Sequence, residues 1–230
     1  MDWNKIKHIL EKAELVRERE SKFRIQDFPN LLDDFSFTSV DIEAQLEKYK
    51  LEFSEIRDRR VEWEICFPSF VGAFYNYMIR CGEVPSQRDY FQYYLESNKD
   101  FFERKKFDSE IVMALEARVF RTYPSLVRDI HFALKCREQF LDATVIYNIR
   151  LDTEKGIDVL IEKDGKFFGI NLYVGTTRAI GVREKKKNRH MEFENVENIE
   201  FPLTNDLTNN VGDLFLYGGD AFTKLMAEME

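Results

Sequence analysis

Between residues 3 and 120 apolar positions recur every three or four residues, the spacing of helices that bury one face. Trp3, Ile6, Ile9, Leu10, Ala13 and Val16 form the first such stripe. Pro29 interrupts it in "DFPNLLDDFSF", after which "VDIEAQLEKYKLEFSEIRDRRVEWEI" (40–65) predicts a long charged helix. "PSFVGAFYNYMIRCG" predicts a more buried helix ending at Gly82, and Ser86, with Asp89 three residues on, predicts the cap of the next. From residue 121 the pattern changes. "SLVRDIHFALKCREQF" (125–140) predicts a helix begun after Pro124, and "ATVIYNIRL" (143–151) alternates as a strand does. "GIDVLIE" and "KFFGINLYV" predict two strands joined by the hairpin signal Asp164-Gly165. A basic, helix-compatible stretch, "GVREKKKNRH", follows; "VENIEFPL" and "VGDLFLYG" predict two more strands, and "DAFTKLMAEM" a closing helix. The chain therefore divides into a helical region, 1–120, and an α/β region, 121–230.

Composition narrows the function classes. Hydrophobic residues make up 44% of the 230 and charged ones 33%, the balance of a globular chain with a sizeable core. A formal net charge of −8 argues against coating nucleic acid by bulk electrostatics, but the charge is uneven. Arg178 to His190 holds six Lys or Arg against one Glu, whereas Met191 to Glu230 holds nine acids against Lys224. Cys66, Cys81 and Cys136 are few and far apart, with neither a disulfide framework nor a zinc ribbon. The opening "MDWNKIKHILEK" is amphipathic, not an apolar signal core, and "ICFPSFVGAFYNYMI" is too short and interrupted to span a membrane. The expected setting is a reducing cytoplasm, with no membrane partner.

The order helix, three strands, helix, strand, with an aspartate after glycine in "GIDVLIE", resembles the PD-(D/E)XK nuclease superfamily over roughly residues 121–203. The resemblance implies an α+β fold, in which the helical N-terminal region precedes an αβββαβ restriction-endonuclease-like core with a mixed central sheet. It implies phosphodiester hydrolysis assisted by Mg²⁺ or Mn²⁺, because paired carboxylates hold a hard cation that activates water. Asp158 matches the motif aspartate. Asp129 in "SLVRDIHF" stands where a helix supplies a further acid, direct or through water. The second strand departs from the pattern: "INLY" places Asn171 at the metal-ligand position and Tyr173 at the lysine position. Some members carry the lysine on the following helix, and there Lys186 or Lys187 would face the sheet, depending on which residues mark the packed side. Thr176, Thr177, Arg178, Arg183, Lys185 and Arg189 are the candidate phosphate contacts. The implied substrate is nucleic acid, DNA in preference to RNA, in a restriction, phage-defence or mobile-element setting.

Three other readings stay open on the residues alone. A catalytically inactive nuclease-like fold, serving as a nucleic-acid-binding or protein-interaction subunit, would tolerate Asn171 and Tyr173. The helical region would mediate a homo-oligomer or a protein partner, with the charged segment 41–65 as its contact helix. The pair around "RCGEVPSQRDYFQYY" also admits a helix-turn-helix in which Arg80, Gln87, Arg88 and Gln92 touch DNA, against two ordinarily packed helices. His131 and His190 find no partner for nucleophilic catalysis in the pattern: two residues from Asp129, His131 lies on another face of its helix.

Overall fold

The computed structural model describes residues 29–175 and 193–230. Among them the elements run α1 Ser39–Leu46, α2 Phe70–Cys81, α3 Gln87–Ser97, α4 Lys99–Lys105, α5 Ser109–Gln139, β1 Ala143–Ile146, β2 Val159–Lys163, β3 Lys166–Val174, β4 Val196–Leu203, β5 Thr208–Val211, β6 Leu214–Tyr217 and α6 Gly219–Glu228. The first amphipathic stripe and the basic stretch 176–192 lie outside the described residues.

The architecture is mixed α and β. One sheet has the order β1-β2-β3-β4, and β5 and β6 form a separate hairpin. β1, β2 and β3 are antiparallel neighbours, while β4 runs parallel to β3. The tight turn between β2 and β3 needs two residues with positive φ, and Asp164 (53°) and Gly165 (75°) supply them, which sets Lys163 opposite Lys166. That register sorts the side chains. Val159, Ile161, Phe168, Ile170, Leu172, Ile199 and Phe201 face the main core, where Phe132 of α5 meets Phe201. Ile146, Leu151, Ile157, Leu160, Phe193 and Val196 form a smaller apolar cluster on the other side.

The helix end at Gly82 and the cap at Ser86 stand where the residue types place them: Ser86 accepts from the Asp89 amide and Gly82 closes α2 at φ 71°, while Ser69, which accepts from the Gly72 amide, caps the start of α2. Other expectations are corrected. Pro124 does not begin a helix; it sits inside α5, which runs 31 residues through the division expected at 120/121. Proline lacks the N–H that would reach Phe120 O, and the buried Gln87 Nε2 donates to that oxygen instead, at 3.1 Å. Main-core residues extend from Leu31 to Met229, so the early helices and the sheet share one apolar cluster.

The long helix over 40–65 is replaced by the short α1. Backbone amides that would continue the helix are taken by distant side chains: Leu51 N donates to Asp213 Oδ2 at 3.0 Å and Glu52 N to Gln87 Oε1 at 2.6 Å. Arg121 then reaches the carbonyls of Ser54 and Ile56, and Arg118 that of Val61. The strand expected to Leu151 stops at Ile146. There Asn148 Oδ1 accepts from Arg150 N at 2.9 Å and turns the chain into a helical turn, Leu151–Lys155. "VGDLFLYG" is likewise divided, its Val211 ending β5 and Leu214 opening β6.

Candidate functional site

Asp158 stands at the head of β2 in a bulge. Its N–H donates to Ile170 O at 3.0 Å, although Val159 is the residue in register with Ile170. Its side chain continues the ladder: Asp158 Oδ2 accepts from Leu172 N at 2.5 Å, on the rung a further backbone carbonyl of β2 would otherwise fill. Ile157 has meanwhile turned away, its N–H donating to Leu151 O at 2.9 Å. A carboxylate belongs at the head of this strand because it completes the β2–β3 hydrogen bonding where the backbone leaves it. The same bond fixes the acid beside the Asn171–Leu172 peptide.

Asn171 lies on the face of β3 opposite Ile170 and Leu172 and is 6% exposed. Its cross-strand neighbour in β4 is Glu200, and Asn171 Nδ2 donates to Glu200 Oε1 at 3.3 Å. Among the described residues Asn171 Oδ1 is buried and has no hydrogen-bond partner. Tyr173, two residues on and on the same face, is half-buried and pairs in register with Pro202. Sequence reasoning missed Glu200: "VENIEFPL" reads as a strand, but only the parallel β3–β4 register sets this acid against Asn171.

Asp129 is half-buried on α5. Burial pushes its carboxyl up to about 8, the Arg128 guanidinium opposes that shift and the Asp152 carboxylate adds to it. Burial first, and Asp129 and Asp152 further, raise the phenols of Tyr75 on α2 and Tyr147 just after β1, so these rings are neighbours of the acid. Among the described residues no hydrogen bond or ion pair joins Asp129 to Asp158 or Asn171. Asp129 and Asp158 share one described neighbour, Tyr217, whose phenol is raised first by burial and further by both acids, and which donates to Phe201 O at 2.7 Å. The structure thus sets Asp158 against the β3 backbone on either side of Asn171, whose side chain bonds Glu200, and leaves Asp129 on α5 with Tyr217 as the neighbour it shares with Asp158. Lys186 and Lys187, with Thr176, Thr177, Arg178, Arg183, Lys185 and Arg189, lie outside the described residues, as does His190.

The other candidates serve the fold. Gln87 is buried across Glu52 and Phe120, so it is not presented as a helix-turn-helix contact, while the exposed Arg88 pairs with Glu52 at 2.5 Å. His131 is 1% exposed with Nε2 2.8 Å from Glu43 Oε1, which ties α5 to α1.

A hard divalent cation takes oxygen ligands. The Asp158 carboxylate and the Asn171 carbonyl are both of that class, and a buried oxygen with no donor is what an ion would satisfy, so the residues fit such a group. Asp158 and Asn171 would hold it. Among the described residues no group of three His, Cys, Asp or Glu side chains converges as a metal cage, so an ion there would draw on amide oxygens and water. No helix among the described residues is long and apolar enough to cross a membrane. No protein-family model, curated protein or solved structure matches the chain.

Proposed function

We propose that the chain is a metal-dependent nuclease of the PD-(D/E)XK type, hydrolysing phosphodiesters in nucleic acid, DNA in preference to RNA. The observation that carries this reading is Asp158, pinned at the head of the second strand beside Asn171 of the third, in a sheet ordered β1-β2-β3-β4. The antiparallel β1–β3, the parallel β4 and the preceding helix α5 support this reading. Bound Mg²⁺ or Mn²⁺ would supply an activated water and charge stabilisation at the scissile phosphate. Asp158 and Asn171 present oxygens to the ion. Lys186 or Lys187 would carry the positive charge near the attacking water that Tyr173 does not. Arg178 and its basic neighbours would hold backbone phosphates, and such contacts make binding fall steeply with salt. The three cysteines are free thiols, which suits a reducing cytoplasm.

A second reading has its own observation. Asp158 is engaged in the sheet and Asn171 Nδ2 is engaged by Glu200, so both residues would also serve a nuclease-like scaffold that binds without cutting. Cleavage of supercoiled, linear and single-stranded DNA and of structured RNA, in Mg²⁺ and in Mn²⁺, separates them. Cleavage lost in Asp158→Asn supports the nuclease. Nucleic acid bound with neither cleavage nor metal uptake supports the scaffold and refutes the proposal.

A further inference from the structure

We infer that the segment 53–63, between α1 and α2, is a self-association surface on which a second copy of this chain docks about a two-fold axis. Trp63 on this segment is 85% exposed and Phe53 78%, and Ile56 is exposed with them. Tryptophan is highly buried on average, and although a lone apolar side chain on a surface is ordinary, neighbouring ones mark a contact. Arg121 of α5 makes these residues neighbours. Its Nη1 donates to the carbonyls of Ser54 and Ile56, at 3.3 and 2.6 Å, and its Nη2 to the Glu62 carboxylate, at 2.5 Å. One guanidinium thus draws 54–56 and 62 together from the protein side, and Phe53 and Trp63, each next to an anchored residue, stand on the solvent side. Arg118, one turn earlier on α5, holds the carbonyl of Val61, whose side chain is fully buried. The surface is therefore in place before a partner arrives, which lowers the ordering cost of association.

The charges on the segment identify the occupant. Most are matched within the chain: Glu52 by Arg88, Asp58 by Arg60, Glu62 by Arg121 and Glu64 by Arg59. Glu55 and Arg57 are left over. Both are exposed, they flank Ile56, and neither side chain has an ion-pair or hydrogen-bond partner among the described residues. One unmatched acid and one unmatched base beside exposed aromatic rings form a self-complementary surface. A two-fold axis sets Glu55 of each copy against Arg57 of the other and brings the apolar side chains together between those pairs. Large aromatic anchors inside a charged rim are the usual make-up of a protein interface. A polyanion fits less well. Residues 52–64 hold five acids against Arg57, Arg59 and Arg60, and Arg88, Arg118 and Arg121 bring that balance only close to zero, so no positive field draws nucleic acid to this face.

The test is sedimentation velocity of the full chain over a concentration series reaching its solubility limit. The natural chain should exchange between monomer and dimer, and Trp63→Ser should weaken the dimer about tenfold or more, the effect of truncating a central interface tryptophan. Thermal unfolding at low concentration checks that each variant folds, as substitutions at such exposed positions should allow. Arg57→Glu and Glu55→Arg should each sediment as monomers, because each sets like charges face to face. An equimolar mixture of those two variants should recover the dimer, since both cross-contacts become attractive again, and a mere loss of structure would not be repaired in this way. A natural chain that stays monomeric at every concentration overturns the inference. So does a dimer that persists unchanged in Phe53→Ser/Trp63→Ser or in either charge variant. A monomer that binds single-stranded DNA, and loses that binding in Trp63→Ser, would give the surface to nucleic acid and overturn the inference as well. None of these outcomes measures cleavage or metal binding, so the nuclease reading stands or falls separately.

Discussion

Replacing Asp158 separates its two roles. Asp158→Ala removes the acceptor for the Leu172 N–H, which lies beside a side chain only 8% exposed. A hydrogen bond to a charged acceptor contributes about 1.5–3 kcal/mol, and the amide left behind would be poorly hydrated. A loss of about 2 kcal/mol is therefore expected, which for a chain of this size lowers the melting temperature by about 4–8 °C. Asp158→Asn keeps a carbonyl for the same amide and should lose about 1 kcal/mol or less. Metal widens the gap between the natural chain and both variants. Ion at ten times its dissociation constant stabilises the natural chain by about 1.4 kcal/mol, and neither variant should show that gain. The assay is thermal unfolding of the three proteins in chelator and in rising Mg²⁺ or Mn²⁺. Asp158→Ala melting with the natural chain in chelator would refute the ladder argument. An unchanged metal-induced shift in Asp158→Asn would refute the ligand argument, and neither result depends on the other.

Two further perturbations probe how the site is supported. Gln87→Leu should cost about 2–3 kcal/mol in urea unfolding, because it strips partners from Glu52 and from the Phe120 carbonyl that Pro124 leaves open. Pro124→Ala restores a helical donor to that carbonyl, so the double variant should be less damaged than the sum of the singles; strict additivity would sink this account. Glu43 is held down to about 2, first by its hydrogen bond to His131 and then by Lys135. Its folded pKa is depressed, so its contribution is complete above the unfolded value near 4.5 and is lost as pH falls towards 2. Allowing for solvent screening at a partly exposed carboxylate, that contribution is about 1–2 kcal/mol. The stability gap between the natural chain and Glu43→Gln should close over that acid window, and a gap constant from pH 7 to pH 2 would contradict the assignment.

Local chemistry made some elements legible. Asp164-Gly165 announces its turn because few residue pairs accept two positive φ values, and Gly82 and Ser86 announce helix ends because backbone freedom or a side chain satisfies terminal groups. β2, β3 and β4 followed from apolar runs between turn residues. What failed was decided at a distance. The pattern over 40–65 is helical, yet Asp213 and Gln87 claim its amides and Arg118 and Arg121 its carbonyls. Pro124 reads as a helix boundary, yet Gln87, 37 positions earlier, repairs the missing bond. At the candidate site Asp158 and Asn171 were visible from the hairpin because an antiparallel register follows from its turn. Glu200 was not, because a parallel register follows from a crossover and no short-range signal encodes it.

The engagement of Asp158 in the sheet changes what its presence means. An aspartate that completes a ladder would be kept by a protein that never bound metal, so Asp158 alone cannot argue for catalysis. Asn171 is the more informative residue. In a scaffold the Asn171 amide would keep its bond to Glu200, but its oxygen, buried and without a donor among the described residues, is a cost that Leu or Val at that position would remove. Tyr173 adds no such argument, since an aromatic at a half-buried strand end suits either reading. The case for a cation therefore rests on the residue that departs from the nuclease pattern more than on the one that matches it. Asn171→Val is the variant that exposes this: without a ligand role it should stabilise the chain in chelator and leave its response to Mn²⁺ unchanged, whereas loss of the Mn²⁺ response would mark Asn171 as part of the site.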